Sequence, residues 1–232
     1  MRLSNSSFVA ERHRTNLTIQ LSEEDLNRIK AQYDLAESSS STFLSTEPGA
    51  FSDVSNNPGS IVAQGLPPLQ HIPDATPPVL RRFDLNMSSQ QIQLSLSFSE
   101  PVPAARLQPH RLFLTSQSTP ASTASVLMLQ GAQIQDPAAN QTQHTFFFPP
   151  PLVRDLQLAR QLCTGQQNCF FSSLEQAVQD MAGNFMPALN ASAALQVATY
   201  VSDATPPRCT AFQLNMDQGW ATLNFSEVVD QP

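Results

Sequence analysis

The chain contains a single lysine, Lys30, and its 12 basic residues face 19 acidic ones for a net charge of −7. So few cations cannot neutralise a phosphate backbone, so a nucleic-acid partner is excluded. A polybasic stretch that would hold an anionic membrane surface is missing too. Glycine is scarce at seven residues, with no cluster able to cradle a phosphate. No run of about 18 apolar residues occurs, so no segment reads as a transmembrane helix or as membrane-inserting. The opening "MRLSNSSFVAERHRTN" has no apolar core of a signal peptide. The four histidines, His13, His71, His110 and His144, stand in no motif, and no G-x-S-x-G, H-E-x-x-H or P-loop pattern is present. No catalytic or cofactor-binding residue is therefore expected, and the chain reads as a non-enzyme. What is abundant is Ser, Thr, Gln, Asn and Pro, with charged residues at only 13%. That balance is common in extracellular β-rich modules. At 232 residues and 41% hydrophobic content, the chain is long enough for one large or about two ordinary cores.

The strongest signal is internal repetition. "DATPP" occurs at Asp74 and again at Asp203. A shift of 127 residues aligns the stretch from Leu17 with that from His144 without a gap, pairing Phe43 with Phe170, Asp53 with Asp180 and Asn57 with Asn184. Two inserted residues move the shift to 129, which pairs Phe83, Leu85, Asn86 and Met87 with Phe212, Leu214, Asn215 and Met216. A two-residue deletion restores 127, so that "LSFSEPV" from Leu96 meets "LNFSEVV" from Leu223. The repeat is about 128 residues, an ordinary domain size. It divides the chain into the later part of one unit (1–73), a complete unit (74–202) and the opening of another (203–232). The chain is accordingly expected to be an internal piece of something larger. Its partial units are expected to be poorly ordered, or to expose sheet edges and associate. Pro232 aligns with Ala105 and Met1 with Met128, so end-to-end pairing of the two parts leaves about 22 positions of a unit unfilled.

Period-two alternation marks strands at Phe83, Leu85 and Met87, and at Ile92, Leu94, Leu96 and Phe98. Hairpin chemistry in "MDQGW" joins the corresponding strands of the last segment, with Gly219 available for positive φ. "RLFLTS", "SVLMLQGAQIQ", "HTFFF", "CFFSSL" and "ALQVATYV" supply further short strands. Many short strands with frequent turn signals predict a mainly β sandwich. One short helix per repeat interrupts it. "SEEDLNRIKAQYDLA" begins at a Ser22 N-cap, with acidic residues in its first turn and Leu26, Ile29 and Tyr33 predicted as a core face. The weaker second helix follows Pro149, Pro150 and Pro151 and places Val153 and Leu156 inward.

The ordered set of a "DxTPP" opening, an "FxLNM…LxFSExV" hairpin, a "DxxxN" turn and a closing strand resembles tandem repeats of the bacterial Ig-like superfamily, S-layer type. Its nearest likeness is to the versions in large repetitive surface proteins of unicellular eukaryotes and marine invertebrates, where a "DLNxIK" helix also occurs. The resemblance implies Ig-like β-sandwiches in an extracellular or cell-surface context. It names no ligand, because function resides in sites rather than folds. Asn56 stands where the family turn carries glycine, and asparagine tolerates the left-handed region that such a turn needs.

Cys163 and Cys169 occur together in one copy and are absent together, as Ala36 and Thr42, in the other. A local disulfide is the leading reading; two free thiols and metal or redox chemistry are the alternatives. Cys209 reads as pairing elsewhere or as buried in its strand. Six N-x-S/T sequons, at Asn5, Asn16, Asn86, Asn140, Asn190 and Asn224, exceed chance and point to glycosylation on a secretory route. Asn224 lies between Leu223 and Phe225 and so faces away from a core. Asp53, Asn57, Asp74, Asp180, Asn184 and Asp203 are weak Ca²⁺ candidates at the predicted joints. An Asx-type turn at "DxxxN" is the preferred reading. Glu100 and Glu227 repeat in "FSE", but in different units, too far apart for paired-carboxylate catalysis. Together these features predict a non-catalytic structural or adhesive module. Its partners would be the neighbouring repeats, with cell-surface proteins or glycans beyond them. An accessory module of a multidomain extracellular enzyme or receptor is the first alternative, and Ca²⁺-dependent carbohydrate binding the second.

Overall fold

The computed structural model describes residues 1–4, 8–13, 15–88, 91–118 and 125–229, with the backbone alone for 8–13 and 191. The chain is mainly β. The first stretch holds β1 (Phe8–His13), β2 (Asn16–Gln20), α1 (Glu23–Lys30), β3 (Leu44–Thr46) and β4 (Val62–Leu66). The long middle stretch holds β5 (Leu80–Asn86), β6 (Gln93–Pro103), β7 (Leu112–Thr115), β8 (Val126–Met128), β9 (Gln133–Ile134), β10 (Asn140–Phe147), α2 (Pro150–Leu158), β11 (Phe170–Ser173), β12 (Leu195–Gln196) and β13 (Thr199–Val201). The last stretch is a hairpin of β14 (Cys209–Asn215) and β15 (Trp220–Phe225).

The two large sheets draw every strand from residues 80–201. One has the order β13-β5-β6-β10-β9, the other β12-β11-β7-β8. All pairings are antiparallel except β13 with β5. Alternation explains which side chains go inward: Leu94, Leu96 and Phe98 on β6 are buried, as are Phe83 and Leu85 on β5. The other sheet sends in Leu112, Leu114 and Phe171, and all of these residues join one apolar cluster. Phe83 meets Phe171 across it with ring centroids 5.7 Å apart. Burying each such phenylalanine stabilises the fold by roughly 1.5–3 kcal/mol.

The repeat in the sequence is also a repeat in geometry. Asp53 and Asp180 each donate their backbone N–H to the carbonyl of the asparagine four residues on, Asn57 and Asn184, at 3.0 Å. Asn56 takes φ 65° where its counterpart Gly183 takes 97°, so the asparagine keeps the left-handed turn without the glycine. Ala36 and Cys163 are both left-handed, at φ 58° and 49°. The pairing of β5 with β6 breaks register after Leu80, and that of β14 with β15 breaks after Cys209, its aligned residue. Val79 and Arg208 each donate a backbone N–H to a serine hydroxyl, Ser99 and Ser226, at 2.9 Å.

Two expectations are corrected. α1 opens as predicted, with Ser22 Oγ accepting from the Asp25 N–H at 3.1 Å, but it ends at Lys30 rather than running through the "AQYDLA" stretch. Asp34 and Ala36 beyond it are left-handed, a conformation no helix continues through. Leu26 and Tyr33 are exposed at 39% and 58%, so the predicted apolar core face is not buried; the buried side chain is Asp25. Its carboxylate accepts from the N–H and hydroxyl of Ser4 and from Arg28, which satisfies the charge inside. Cys209 is the second correction. It is exposed on β14 rather than buried in the strand, because few other residues cover the hairpin. α2 matches expectation more closely, burying Leu152 and Leu156 with Val153 packed beside them.

Candidate functional site

The chemistry-bearing groups converge where "DATPP" meets β6. Asp74 lies in the irregular segment before β5, where its Oδ1 accepts the Thr76 N–H at 3.1 Å, an Asx turn. Glu100 extends the inward phase of Ile92, Leu94, Leu96 and Phe98 by one more step, which places a carboxylate at a position otherwise apolar. Asp180 is buried in the "DxxxN" turn; its Oδ1 accepts the Asn184 N–H at 2.7 Å and its Oδ2 the Asn184 side-chain amide at 2.9 Å. That amide also reaches the Asp74 carbonyl at 3.3 Å, tying the late turn to the start of the same segment. Asp74, Glu100 and Asp180 bring a carboxylate oxygen each within 4.8 Å of one another.

Two charges at that separation repel by roughly 3–4 kcal/mol at an effective dielectric of about 20. A cation therefore belongs there, and the chain's single lysine supplies it. Lys30, at the last turn of α1, places its Nζ 2.7 Å from Asp74 Oδ2 and 2.7 Å from Glu100 Oε2. Burial alone would lower the Lys30 pKa, but its hydrogen bonds to Asp74 and Glu100 carry it above the ordinary value. Burial pushes Glu100 up; Lys30 opposes this, and the neighbouring Asp74 and Asp180 add to it. Two further contacts hold α1 against residues 74–202. Glu23 accepts from Arg81 at 2.6 Å, and the Ala31 carbonyl accepts from the Asn140 side chain at 3.3 Å.

The aligned residues farther on are set out alike, with one change. Asp203 Oδ1 accepts the Thr205 N–H at 2.9 Å, and burial and Asp203 together raise Glu227. A cavity of about 640 Å³ lies between α2 and the hairpin and is lined by Arg154, Gln157, Ser226 and Glu227. Gln157 is the residue aligned with Lys30, so a neutral amide stands where the first joint has an ammonium.

Of the six Ca²⁺ candidates, the structure brings together Asp74, Asp180 and Asn184. Asp53 and Asn57 are exposed and bonded to each other. Asp53 Oδ1 accepts the N–H groups of Ser55 and Asn57, its Oδ2 accepts the Asn57 side chain, and these bonds lower its pKa. Asp203 pairs with its own turn. Sequence reasoning missed Lys30 as a member of the site and set Glu100 aside, although the phase of Glu100 on its strand and the uniqueness of the lysine were both readable.

Cys163 and Cys169 form a disulfide with S–S 2.07 Å and Cα–Cα 4.2 Å. Asn5 lies outside the described residues. Asn16, Asn190 and Asn224 are exposed; Asn86 and Asn140 are half-buried, Asn86 accepting from the nearby Ser88 N–H and Asn140 donating to the distant Ala31 carbonyl. His144 is fully buried, with Nε2 2.8 Å from the Val102 carbonyl, so that nitrogen carries the proton and donates. Its Nδ1 has no partner among the described residues, and burial lowers its pKa. No family model matches the chain, and no curated protein or solved structure is detectably similar to it.

Proposed function

We propose that the chain is a non-catalytic segment of a tandem array of Ig-like β-sandwiches that acts as a spacer and adhesive rod outside the cell. One observation carries this reading. At the first "DATPP", Lys30 of the preceding stretch is held by Asp74 and Glu100, so the joint is fastened as well as Pro-stiffened. A fastened joint fixes the angle between successive units, which suits a spacer. Facing sheets joined through Phe83 and Phe171 support a sandwich for each unit, and the sequon excess supports a secretory route.

Small-angle scattering of the whole chain tests it. The expected result is a compact, salt-resistant arrangement of residues 1–73 on 74–202 that loosens in Lys30→Met. Equal scattering from both proteins at low and high salt would sink the fastened-joint reading.

A further inference from the structure

The contact that fastens the first joint also sets an amine against a carboxyl carbon. Lys30 Nζ lies 2.7 Å from Asp74 Oδ2, which puts the carbon of that carboxyl roughly 3–3.5 Å away, the separation from which two groups react. The three side chains are largely withdrawn from water, with those of Lys30, Asp74 and Glu100 exposed at 18%, 23% and 6%. Each oxygen of the Asp74 carboxyl has a neighbour suited to its part. Oδ1 accepts the Thr76 N–H at 3.1 Å, a donor already in place where an oxyanion forms when the carbon is attacked. Oδ2 is on the amine's side. Glu100 Oε2 is 2.7 Å from the same Nζ, within reach of a proton that the nitrogen gives up. Burial, joined by Asp74 and Asp180, raises the Glu100 pKa, which suits that carboxyl to hold a proton and return it.

We infer that Lys30 and Asp74 condense into an isopeptide bond, with Glu100 as the catalytic residue. The ion pair is the state from which the bond forms. The ammonium passes one proton to Oδ2, leaving a neutral amine and a neutral acid. Nζ then bonds to the Asp74 carbon, and the C–O π pair moves onto Oδ1, against the Thr76 N–H. Glu100 takes a second proton from the nitrogen and delivers it to Oδ2. The bond from carbon to Oδ2 breaks, water leaves, and the pair on Oδ1 returns to the carbonyl. An ammonium and a carboxylate have become an amide and one water, with no net change of charge and no other reactant consumed. Holding the two groups together supplies an effective molarity of about 10⁵–10⁸ M, which drives the condensation against hydrolysis. The product also relieves the recess of two charges that are costly to keep from water. Against burial, the hydrogen bonds to Asp74 and Glu100 keep the Lys30 pKa above its ordinary value, so the free amine is scarce and the reaction slow. Gln157, the residue aligned with Lys30, has no nucleophilic nitrogen, so the second joint cannot form the bond. The inference rests on the contact among these side chains and not on the spacer reading.

The test reads mass. The 232-residue chain is incubated folded at neutral pH, then reduced, denatured, weighed intact and digested with a lysine-specific protease. Because Lys30 is the only lysine, an unreacted chain is cut once, whereas an acylated Lys30 leaves it uncut. Wild type is expected to end one water lighter than its sequence and to resist the cut, with fragmentation placing the link at Lys30 and Asp74. Lys30→Arg keeps the charge, but its guanidinium stays protonated, and it is expected to keep full mass. Glu100→Gln is expected to slow the loss of water by about 10²–10⁴-fold. The inference is overturned if wild type keeps full mass and is cut, if Lys30→Arg loses the same water, or if fragmentation places the link elsewhere. The role of Glu100 is overturned if Glu100→Gln reacts as fast as wild type. Full mass in a chain whose scattering is still compact and salt-resistant overturns the bond and leaves the spacer reading standing.

Discussion

Tyr200 and His71 make the same contact 129 residues apart. Tyr200 Oη donates to the Cys163 carbonyl at 2.6 Å, and His71 Nε2 lies 2.7 Å from the carbonyl of Ala36, the residue aligned with Cys163. Both carbonyls belong to left-handed residues after a helix, where no ladder partner is at hand. An imidazole and a phenol thus serve one purpose, each fastening the segment just before a "DATPP" to the turn after a helix. Tyr200→Phe leaves the Cys163 carbonyl without this donor and is expected to lower stability by about 1 kcal/mol, read by urea denaturation.

Lys30→Met removes the cation from three carboxylates. A fully buried pair that loses one partner costs about 3–5 kcal/mol, and partial exposure here reduces that to roughly 1–2 kcal/mol. The pH dependence has a definite sign. Glu100 is raised in the folded chain, so its contribution is fully present below its ordinary value of 4.5 and is lost as pH rises through the higher folded value. Without Lys30 that folded value climbs further, and the loss extends to higher pH. Melting curves across the acid range, wild type against variant, check this. Calcium is expected to leave the wild-type midpoint unchanged, because the ammonium already occupies the recess between Asp74 and Glu100; a shift would show an ion displacing it.

His144 works in the opposite direction. Its pKa is depressed by burial, so its contribution is present above the ordinary value of 6.5 and is lost as pH falls through the folded value. His144→Leu, which installs the residue found at the aligned Leu17, is expected to flatten that part of the stability curve. Unchanged acid sensitivity in the variant would assign it to other groups.

Replacing Cys163 and Cys169 together by serine opens a short loop whose closure stabilises the fold by about 2 kcal/mol. The same loss is expected for wild type in reductant. The double variant should show no further response to it, which a thermal melt with and without reductant decides.

Local rules made much of this fold legible. Alternation located β5, β6 and the hairpin, Ser22 was readable as a cap, and Gly219 took the positive φ that its turn requires. Each of these depends on neighbours in sequence. Alternation also assigned Leu26 and Tyr33 to a core, and there it failed. Whether a helix face is covered depends on which strands lie beneath it, and α1 sits beside β6 through charge rather than through that face. The link from Lys30 to Glu100 spans 70 positions and has no periodic signature. What could be seen was a carboxylate in an apolar phase and one lysine in the whole chain, and those two facts together pose the question that the joint answers.

The parallel pairing of β13 with β5 sets how residues 74–202 would bear a load. Thr199 lies beside Asp84 and Val201 beside Asn86, so the closing strand runs the same way as the opening one. The chain therefore enters at the foot of β5 and leaves at its head, about 20 Å away along seven residues. Tension applied at Asp74 and Asp203 pulls the two strands past each other. The bonds between them, including the Met87 N–H to the Val201 carbonyl at 2.8 Å, are then strained all at once instead of unzipping in turn. A string of such units would yield in steps, each at a high force.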